Sequence, residues 1–320
     1  MLILTKRAAL RVIAALCAVL SIAAPVLAKP LTWAPPVLAK PLEVAIPSAP
    51  GAFQFNAHGR DCHVTWPATK HVGSVQIFNC ANLVSIGGWN TVPPALTSTG
   101  AVDTTNSPPI RILEINTTYP GVSHIEGLLG DASAGGMSDG IDITAPAQTV
   151  QIENVRIDGI YGFYDQFHAD CVQPFGGVKL LRIDGFTCRT GYQGLSIWPV
   201  TGSPSAWWAS LYRVNIVSTG AAIWGAHNSG GYLYWPCRDA SCVNVANTHL
   251  TQVYLQPRAA TPAASMVWTG AALTPLAGII SFPGLPIDGH VTLGPPPAGD
   301  FVPAGMAGPA YVSPGYAPAP

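Results

Sequence analysis

The feature that most constrains the fold of this chain is a short strand-like phrase that occurs three times in its middle. The phrase is DGIDI at residues 139–143, DCVQP at 170–174 and QGLSI at 193–197, so successive copies begin 31 and 23 residues apart. A phrase that returns every twenty to thirty residues is typical of repeat architectures, in which each repeat stacks on its neighbour. Because apolar, partly β-branched runs alternate here with turn residues, the predicted repeat is a coil of β-strands.

A second set of phrases supports the same interpretation. VRIDGI at residues 155–160 is followed by LRIDGF at 181–186 and by YRVNI at 212–216, which places an arginine at the second position of each copy. In a solenoid, equivalent strands of successive coils would lie about 4.8 Å apart. The rival architecture is a two-domain β-sandwich, which would not require similar sequences to recur at matching intervals.

The VRIDGI, LRIDGF and DGIDI phrases resemble right-handed parallel β-helix proteins of the pectin-lyase-like superfold. The resemblance covers roughly residues 70–280 and implies a groove along one parallel sheet. It does not select an activity, because this fold hosts lyases, hydrolases, epimerases, phage adhesins and non-catalytic surface proteins. The NTD, DD, GHG and RIK pattern of polygalacturonases is absent, and so is the Arg-Pro motif of pectate lyases.

The predicted fold is therefore all-β, a right-handed parallel β-helix with Pro- and Gly-rich terminal segments. Residues 1–28 are predicted to be a signal peptide and residues 29–52 a Pro-rich lead-in. Residues 53–280 form the predicted parallel β-helix domain. Residues 281–320, rich in Pro, Gly and Ala, are predicted to be a tail that folds back or caps the last coil.

The segment 1–28 has the pattern of a secretory signal. Lys6, Arg7 and Arg11 precede an apolar run at 12–24, and Ala28 ends a small-residue cleavage site. The phrase PVLAKPL occurs at 25–31 and again at 36–42, so cleavage after Ala39 is an alternative. We expect a secreted or periplasmic protein of bacterial origin, with no membrane span after cleavage. The mature chain would keep fewer basic than acidic residues, because the signal removes three basic residues and no acidic one. This balance argues against a nucleic-acid partner.

Six cysteines follow the signal, and in an exported chain an even number favours disulfides. They fall into three sequence-local pairs, which predicts the bridges 62–80, 171–188 and 237–242. Free buried thiols are the alternative. Zinc is not expected, since no C-x2-C pair occurs.

Stacking the recurring phrase predicts two ladders of polar side chains. One contains Asp139, Asp170 and Gln193, and the other contains Asp142, Gln173 and Ser196. The two ladders are three residues apart, so they should face opposite ways unless a turn intervenes.

Four residues near the middle copy of the phrase are predicted to be catalytic: His168, Asp170, Lys179 and Arg189. His168 has a suitable pKa for a base near neutral pH, and Arg189 or Lys179 could neutralise a substrate acid. The resemblance implies two mechanisms, a cation-assisted lyase reaction and hydrolysis by paired carboxylates. A calcium site is predicted at Asp139, Asp142 and Asp170, whose oxygens suit that ion. The competing interpretation is that these acids only satisfy backbone amides at turns.

Predicted substrate-binding residues accompany the catalytic ones. They are Gln173, Gln193, Tyr192, Trp198, Trp207 and Trp208. Exposed aromatic rings would form a platform for sugars, and the alternative is that they fill the interior. The sequence thus predicts an exported carbohydrate-active protein, a polysaccharide lyase or a glycoside hydrolase. The alternative is a non-catalytic β-helix protein that binds glycan or has a surface or structural role.

Overall fold

A computed structural model describes residues 29–93, 99, 110–134, 138–162, 168–197, 208–219, 231–237, 242, 245–258, 267–268 and 277–316. The predicted signal peptide at 1–28 lies outside these residues. Within the described ranges the chain is all-β, with strands and turns but no helix, so it contains no helix long and apolar enough to cross a membrane.

The described residues form nineteen strands that join in one sheet. In chain order the strands are β1 (Leu42–Ala45), β2 (Phe53–Asn56), β3 (Cys62–Thr65), β4 (His71–Val72), β5 (Val75–Phe78), β6 (Leu83–Ile86), β7 (Trp89–Thr91), β8 (Ile110–Asn116), β9 (Gly121–Glu126), β10 (Leu129–Asp131), β11 (Ser138–Ile160), β12 (Val172–Thr190), β13 (Leu195–Ser196), β14 (Trp208–Ser218), β15 (Tyr234–Trp235), β16 (Asn247–Gln256), β17 (Ile279–Ser281), β18 (Ile287–Asp288) and β19 (His290–Leu293). Strands therefore occur both before residue 53 and after residue 280, beyond the predicted limits of the β-helix.

The strands stack in three columns, and the long strands turn corners to enter more than one of them. In the first column β2, β5, β8 and the start of β11 pair in succession. The second column begins with β1, β3, β6 and β9, and the third with β4, β7 and β10. Among the named strands every pairing is parallel except that of β17 with β19. This mostly parallel arrangement is consistent with a β-solenoid.

The register of the first column confirms the two predicted ladders. Ile141 pairs with Val172, and Val172 pairs with Leu195. Asp139, Asp170 and Gln193 thus occupy equivalent positions, and so do Asp142, Gln173 and Ser196.

The predicted stacking of the VRIDGI and LRIDGF phrases is wrong. Val155 pairs with Phe186, and Leu181 pairs with Val150 instead of Val155. Between β11 and β12, apart from local register shifts, paired residues are separated by the same number of residues in all three columns, because a single coil connects them. The two phrases are closer together in the chain than one full coil, so their similar wording comes from strands that serve different columns.

The interior is a stack of aliphatic side chains, with Ile141, Val172 and Leu195 all fully buried. Burying one such side chain contributes roughly 1.5–3 kcal/mol. The three predicted disulfides, Cys62–Cys80, Cys171–Cys188 and Cys237–Cys242, are all present. The second of them joins the first and third columns across the interior of one coil, as both of its cysteines are fully buried.

Two glycines of the recurring phrase lie close to the backbone of the next coil. A Cβ on Gly140 would lie 2.4 Å from the carbonyl oxygen of Cys171, and one on Gly194 would lie 2.2 Å from that of Leu233. Real Cβ atoms do not approach backbone this closely, so at these two positions a larger residue would require the backbone to shift. The close stacking holds the flanking polar residues of adjacent coils near one another.

Both terminal segments pack against the columns. The N-terminal lead-in, residues 29–41, meets β11 and β12, where Glu153 accepts the backbone N–H groups of Thr32 and Trp33 at 2.7 and 3.0 Å. The C-terminal segment, residues 294–316, runs back across several coils. Asp300 accepts a hydrogen bond from Asn215 at 3.0 Å, and Gly308 donates one to Gly127 at 2.8 Å. Residues 294–316 therefore lie along the columns.

Candidate functional site

Three carboxylates meet on the first column where the recurring phrase stacks. Asp139 and Asp142 lie near the start of β11, and Asp170 lies just before β12, one coil further on. Their side chains are almost completely buried, with exposed fractions of 6%, 3% and 1%. We call these three residues the acid cluster. The backbone N–H of Asp170 donates to Oδ1 of Asp139 at 2.9 Å, which ties the two coils together.

Arg111, on β8, is the cation that faces the acid cluster. Its Nε donates a short hydrogen bond to Oδ2 of Asp142 and lies 3.8 Å from Oδ2 of Asp139. The same Nε is 3.8 Å from Oε2 of Glu114, which is also on β8. One guanidinium therefore serves three carboxylates. Arg111 thus contacts one member of each ladder, although Asp139 and Asp142 are three residues apart on the same strand.

Asp170 is unusual because neither of its carboxylate oxygens has a hydrogen-bond partner among the described residues. Three further buried oxygens of the two ladders share this property: Asp142 Oδ1, Gln193 Oε1 and Ser196 Oγ. Buried polar atoms are nearly always paired, since leaving one unpaired costs about 1–3 kcal/mol. A set of unpaired oxygens at one place in the fold therefore calls for an explanation beyond stability.

The acid cluster holds its protons more tightly than ordinary carboxyl groups do. Burial and the nearby charge of Asp142 raise the pKa of Asp139 to about 7. Burial, with the charges of Asp139 and Asp142, raises the pKa of Asp170 well above its usual value. Burial also raises the pKa of Asp142, while Arg111 opposes that rise. Near neutral pH the cluster therefore carries both protonated and ionised carboxyl groups.

The predicted calcium site does not match this arrangement. No group of three His, Cys, Asp or Glu side chains within the described ranges is placed to hold one metal ion. The guanidinium of Arg111 already lies against Asp142 and Asp139, where a cation would have to bind.

Three predicted site residues lie around the acid cluster. Gln173 is half-buried and pairs with Asp142 in the ladder. Tyr192 is buried, and its ring centre is 6.0 Å from that of His168, which is exposed. Gln193 is buried next to Asp170 in the ladder. Lys179 is exposed and lies further along β12.

Arg189 does not join the acid cluster. It lies on the third column, where its Nη2 donates to Oδ2 of Asp300 at 3.0 Å and its Nε is 3.8 Å from Oδ1 of Asp158. Arg156 shares both of those acids. The sequence placed Arg189 near Asp170 because the two are close in the chain, but the interval between them is more than half of a coil. Arg189 instead helps to hold the C-terminal segment.

The predicted tryptophan platform falls largely outside the described residues, which do not include Trp198 or Trp207. Trp208 begins β14, where its backbone pairs with Leu180 and Asn247. A different aromatic group lies on the first column. Tyr232, Trp235 and Trp268 are half-buried, and their ring centres are 5.0–6.0 Å apart. Trp235 pairs with Ser196, so this group continues the ladder of Asp142.

Arg111 and Glu114 were missed by the sequence analysis. They pair with Asp139 and Asp142, so the phrase RILEI at 111–115 is one more copy of DGIDI, one coil earlier. The interval between RILEI and DGIDI is that of one coil, so the spacing could have identified the earlier copy. The two phrases do not look alike, because RILEI has an arginine in place of the first aspartate and an isoleucine in place of the glycine.

A second set of buried acids lies on the second column. Glu126, Glu153 and Asp184 occupy equivalent positions in successive coils, with exposed fractions of 0%, 1% and 2%. We call them the covered acidic stack, because the terminal segments and a neighbouring arginine supply their partners. Glu126 accepts from Tyr311 at 2.6 Å and from Ser313 at 2.9 Å. Asp184 accepts two bonds from Arg213, at 2.6 and 2.7 Å.

Comparison of the chain with protein-family models, with curated proteins and with solved structures finds no match. The arguments for its function therefore come from its own residues and their geometry.

Proposed function

We propose that the chain is an exported glycoside hydrolase built on a right-handed parallel β-helix of the pectin-lyase-like type, with its reaction centre at the acid cluster. The mostly parallel columns and the recurring phrase support the fold. The three disulfides are compatible with an extracellular location.

The observation that carries the proposal is the state of Asp170. A carboxyl group that is 1% exposed and has no partner on either oxygen within the described ranges destabilises a fold. Such groups are common where a substrate supplies the missing partner, and perturbed pKa values cluster at such sites. Two further carboxylates, both with raised pKa values, lie beside it.

Hydrolysis of a glycosidic bond needs one carboxylic acid and one carboxylate. We assign the acid to Asp170, because its raised pKa keeps a proton on it and no group in the described part of the chain accepts a hydrogen bond from it. We assign the base to Asp142, because Arg111 favours its ionised form. Asp139 accepts the N–H of Asp170 and so fixes the position of the acid. Asp170 would protonate the leaving oxygen while Asp142 activates water or attacks the sugar.

A lyase mechanism has less support. It would need His168 as the base with a cation near it, but His168 is exposed and Arg189 lies on another column. The only described cation at the acid cluster, Arg111, is already shared by three carboxylates.

A second candidate function is glycan binding without catalysis. The burial of all three carboxylates favours it, since a substrate needs access to the reacting groups. The exposed side of the cluster is formed by Arg111 and Glu114, whose side chains are 25% and 13% exposed. A substrate would have to approach from that side.

The test is a panel of neutral and acidic polysaccharides incubated with the purified protein. Release of reducing ends reports hydrolysis, and ultraviolet absorbance reports the unsaturated uronates of a lyase. We expect reducing ends from at least one polymer, and their loss in Asp170→Asn but not in the control Lys179→Ala. If no polymer gives either signal, or if Asp170→Asn is as active as the parent, the hydrolase proposal fails.

A further inference from the structure

A groove of about 460 Å³ opens beside Arg111, on the first column. Its walls include Pro50 and Pro93, and its polar groups are Gln54, Ser74, Gln76 and Arg111. The groove lies on the coils that precede the acid cluster. Arg111 belongs to both, so the groove leads to the exposed side of the cluster.

The glutamines of the groove stand in the same ladder as Asp142. Gln54 pairs with Gln76, Gln76 with Glu114, and Glu114 with Asp142. With strands about 4.8 Å apart, the three intervals cover roughly 14 Å along the column. The groove and the acid cluster are thus successive parts of one row of side chains.

The side-chain amides along this row form a chain of hydrogen bonds. The amide of Gln54 donates to Oε1 of Gln76, and the amide of Gln76 donates to Oε2 of Glu114. Each amide nitrogen has two N–H groups, and each amide oxygen has two lone pairs. Both glutamines therefore keep donor and acceptor capacity for a ligand, and each can bond a hydroxyl group in either direction.

The charges beside the groove select against an acidic ligand. Among the described lining residues Arg111 is the only charged one, and its guanidinium already faces Asp139, Asp142 and Glu114. Even with one of these carboxyl groups protonated, the set of four carries a net negative charge. A uronate in the groove would meet repulsion instead of a free cation.

We propose that this groove binds an uncharged, hydroxyl-rich segment of a glycan chain through the amides of Gln54 and Gln76. Its role as a subsite rests on the proposed function, because the acid cluster would act on the bond next to the bound segment. The binding itself does not depend on hydrolysis. The proposal sets the substrate class as neutral glycans, in contrast to the polyuronates of many lyases.

The experiment measures binding by isothermal titration calorimetry with Asp170→Asn, which removes turnover. The probes are oligomers of glucose, galactose, mannose and xylose, matched in length with oligomers of galacturonate and glucuronate. We expect a neutral oligomer to bind at least about tenfold more tightly than any uronate oligomer. In the same background, Gln54→Ala with Gln76→Ala should weaken that binding about tenfold, which corresponds to about 1.4 kcal/mol.

The matched control is Gln256→Ala, a half-buried glutamine at the end of β16, away from the groove. It should bind as the Asp170→Asn parent does. Tighter binding of a uronate, binding that is insensitive to the two glutamines, or no binding of any neutral oligomer would overturn the proposal.

The outcomes also separate this inference from the hydrolase proposal. Glutamine-dependent binding of a neutral oligomer without release of reducing ends by the parent protein would support the groove and remove the hydrolase. Release of reducing ends with no effect of the glutamine pair would keep the hydrolase and remove the groove.

Discussion

The acid cluster and the covered acidic stack have the same origin in the fold but opposite surroundings. Both arise because a parallel register places acids at equivalent positions in successive coils, and both are almost completely buried. The covered stack receives hydrogen bonds from segments distant in sequence, such as Tyr311 and Thr32. In the acid cluster both oxygens of Asp170 lack a partner in the part of the chain that the structure describes. Both regions therefore bury their acidic side chains. The acid cluster differs from the covered acidic stack in having carboxylate oxygens without partners among the described residues.

The largest expected contrast is in activity. Asp170→Asn keeps the shape of the side chain but removes the acid, so reducing-end release should fall about 100-fold or more. Its melting temperature should not fall, because no hydrogen bond is lost. Asp184→Asn should retain the parent's activity when assayed well below its own melting temperature. Equal activity losses in the two variants would show that the acid cluster is no more functional than the covered stack.

The next prediction concerns pH dependence, which the two regions should share. For an acid whose pKa is raised by folding, the folded state holds the proton more tightly than the unfolded chain does. Stability is therefore highest below the unfolded pKa and falls as pH rises through the folded pKa. For Asp139, a folded pKa of about 7 against 3.8 corresponds to on the order of 4 kcal/mol lost between about pH 4 and 7.

Urea unfolding measured across that pH range checks this expectation. Asp139→Asn should flatten the fall in the free energy of unfolding. Glu153→Gln should also flatten it, since burial raises the pKa of Glu153 to about 7. Asp288→Asn provides the matched control substitution, since the Asp288 side chain is 83% exposed. A parent protein whose stability rises between pH 4 and 7 would contradict the raised pKa values.

A third contrast concerns the ion pair of the covered stack. Asp184→Asn leaves Arg213 facing a neutral amide where it had a bidentate carboxylate, so the free energy of unfolding should fall by about 3 kcal/mol. Adding Arg213→Met should recover part of that loss, because the unpaired charge is removed. Chemical denaturation of the two single variants and the double variant measures the coupling. Strictly additive losses would mean that the pair does not stabilise the stack.

A smaller effect is expected for one hydroxyl of the C-terminal segment. Tyr311→Phe removes the hydroxyl that donates to Glu126 and accepts from Asn154, while Ser313 still donates to the same carboxylate. The free energy of unfolding should fall by about 1 kcal/mol, with activity unchanged. A loss of activity would instead link the covered stack to the reaction centre.

The smallest effects test two residues that the sequence analysis predicted to be catalytic. Arg189→Ala and Lys179→Ala should each change reducing-end release less than about twofold, because neither side chain lies in the acid cluster. Arg189 pairs with acids at the surface, where such pairs contribute about 0.2–1 kcal/mol, so its melting temperature should fall slightly. A large loss of activity in Arg189→Ala would require the third column to take part in the reaction.

The columns and the acid ladders could be predicted because the recurring phrase occurs once in each successive coil, so aligning its copies in the sequence also aligns the strands. Ile141, Val172 and Leu195 align in the sequence as they do in the sheet. The disulfides were also predictable, since each pairs cysteines that are adjacent along the chain. The similarity of VRIDGI and LRIDGF led to a wrong register, because their arginines lie on different columns. Arg156 lies on the third column and Arg182 on the second.

The rest depended on contacts that no local pattern encodes. Arg111 contributes the cation of the site from an earlier coil, in a phrase that no longer looks like a copy. Arg189 was assigned to the site by its nearness in sequence, although Asp300 binds it from 111 residues away. Several partners of the covered acidic stack, such as Thr32 and Tyr311, come from Pro-rich segments whose sequence contains no periodicity.

The path of the C-terminal segment also has a consequence for the order in which the protein completes its fold. Residues 294–316 are synthesised after the coils of β9 to β14, yet Tyr311 and Asp300 supply partners to Glu126, Arg156 and Asn215 in those coils. The early coils can stack as they emerge, because each contacts mainly its neighbours. Charged residues of these coils, such as Glu126 and Arg156, stay exposed to water until the C-terminal segment packs against them. Closure of the fold therefore follows synthesis of that segment, and a chain stalled before residue 294 would expose these parts of the coils to proteases.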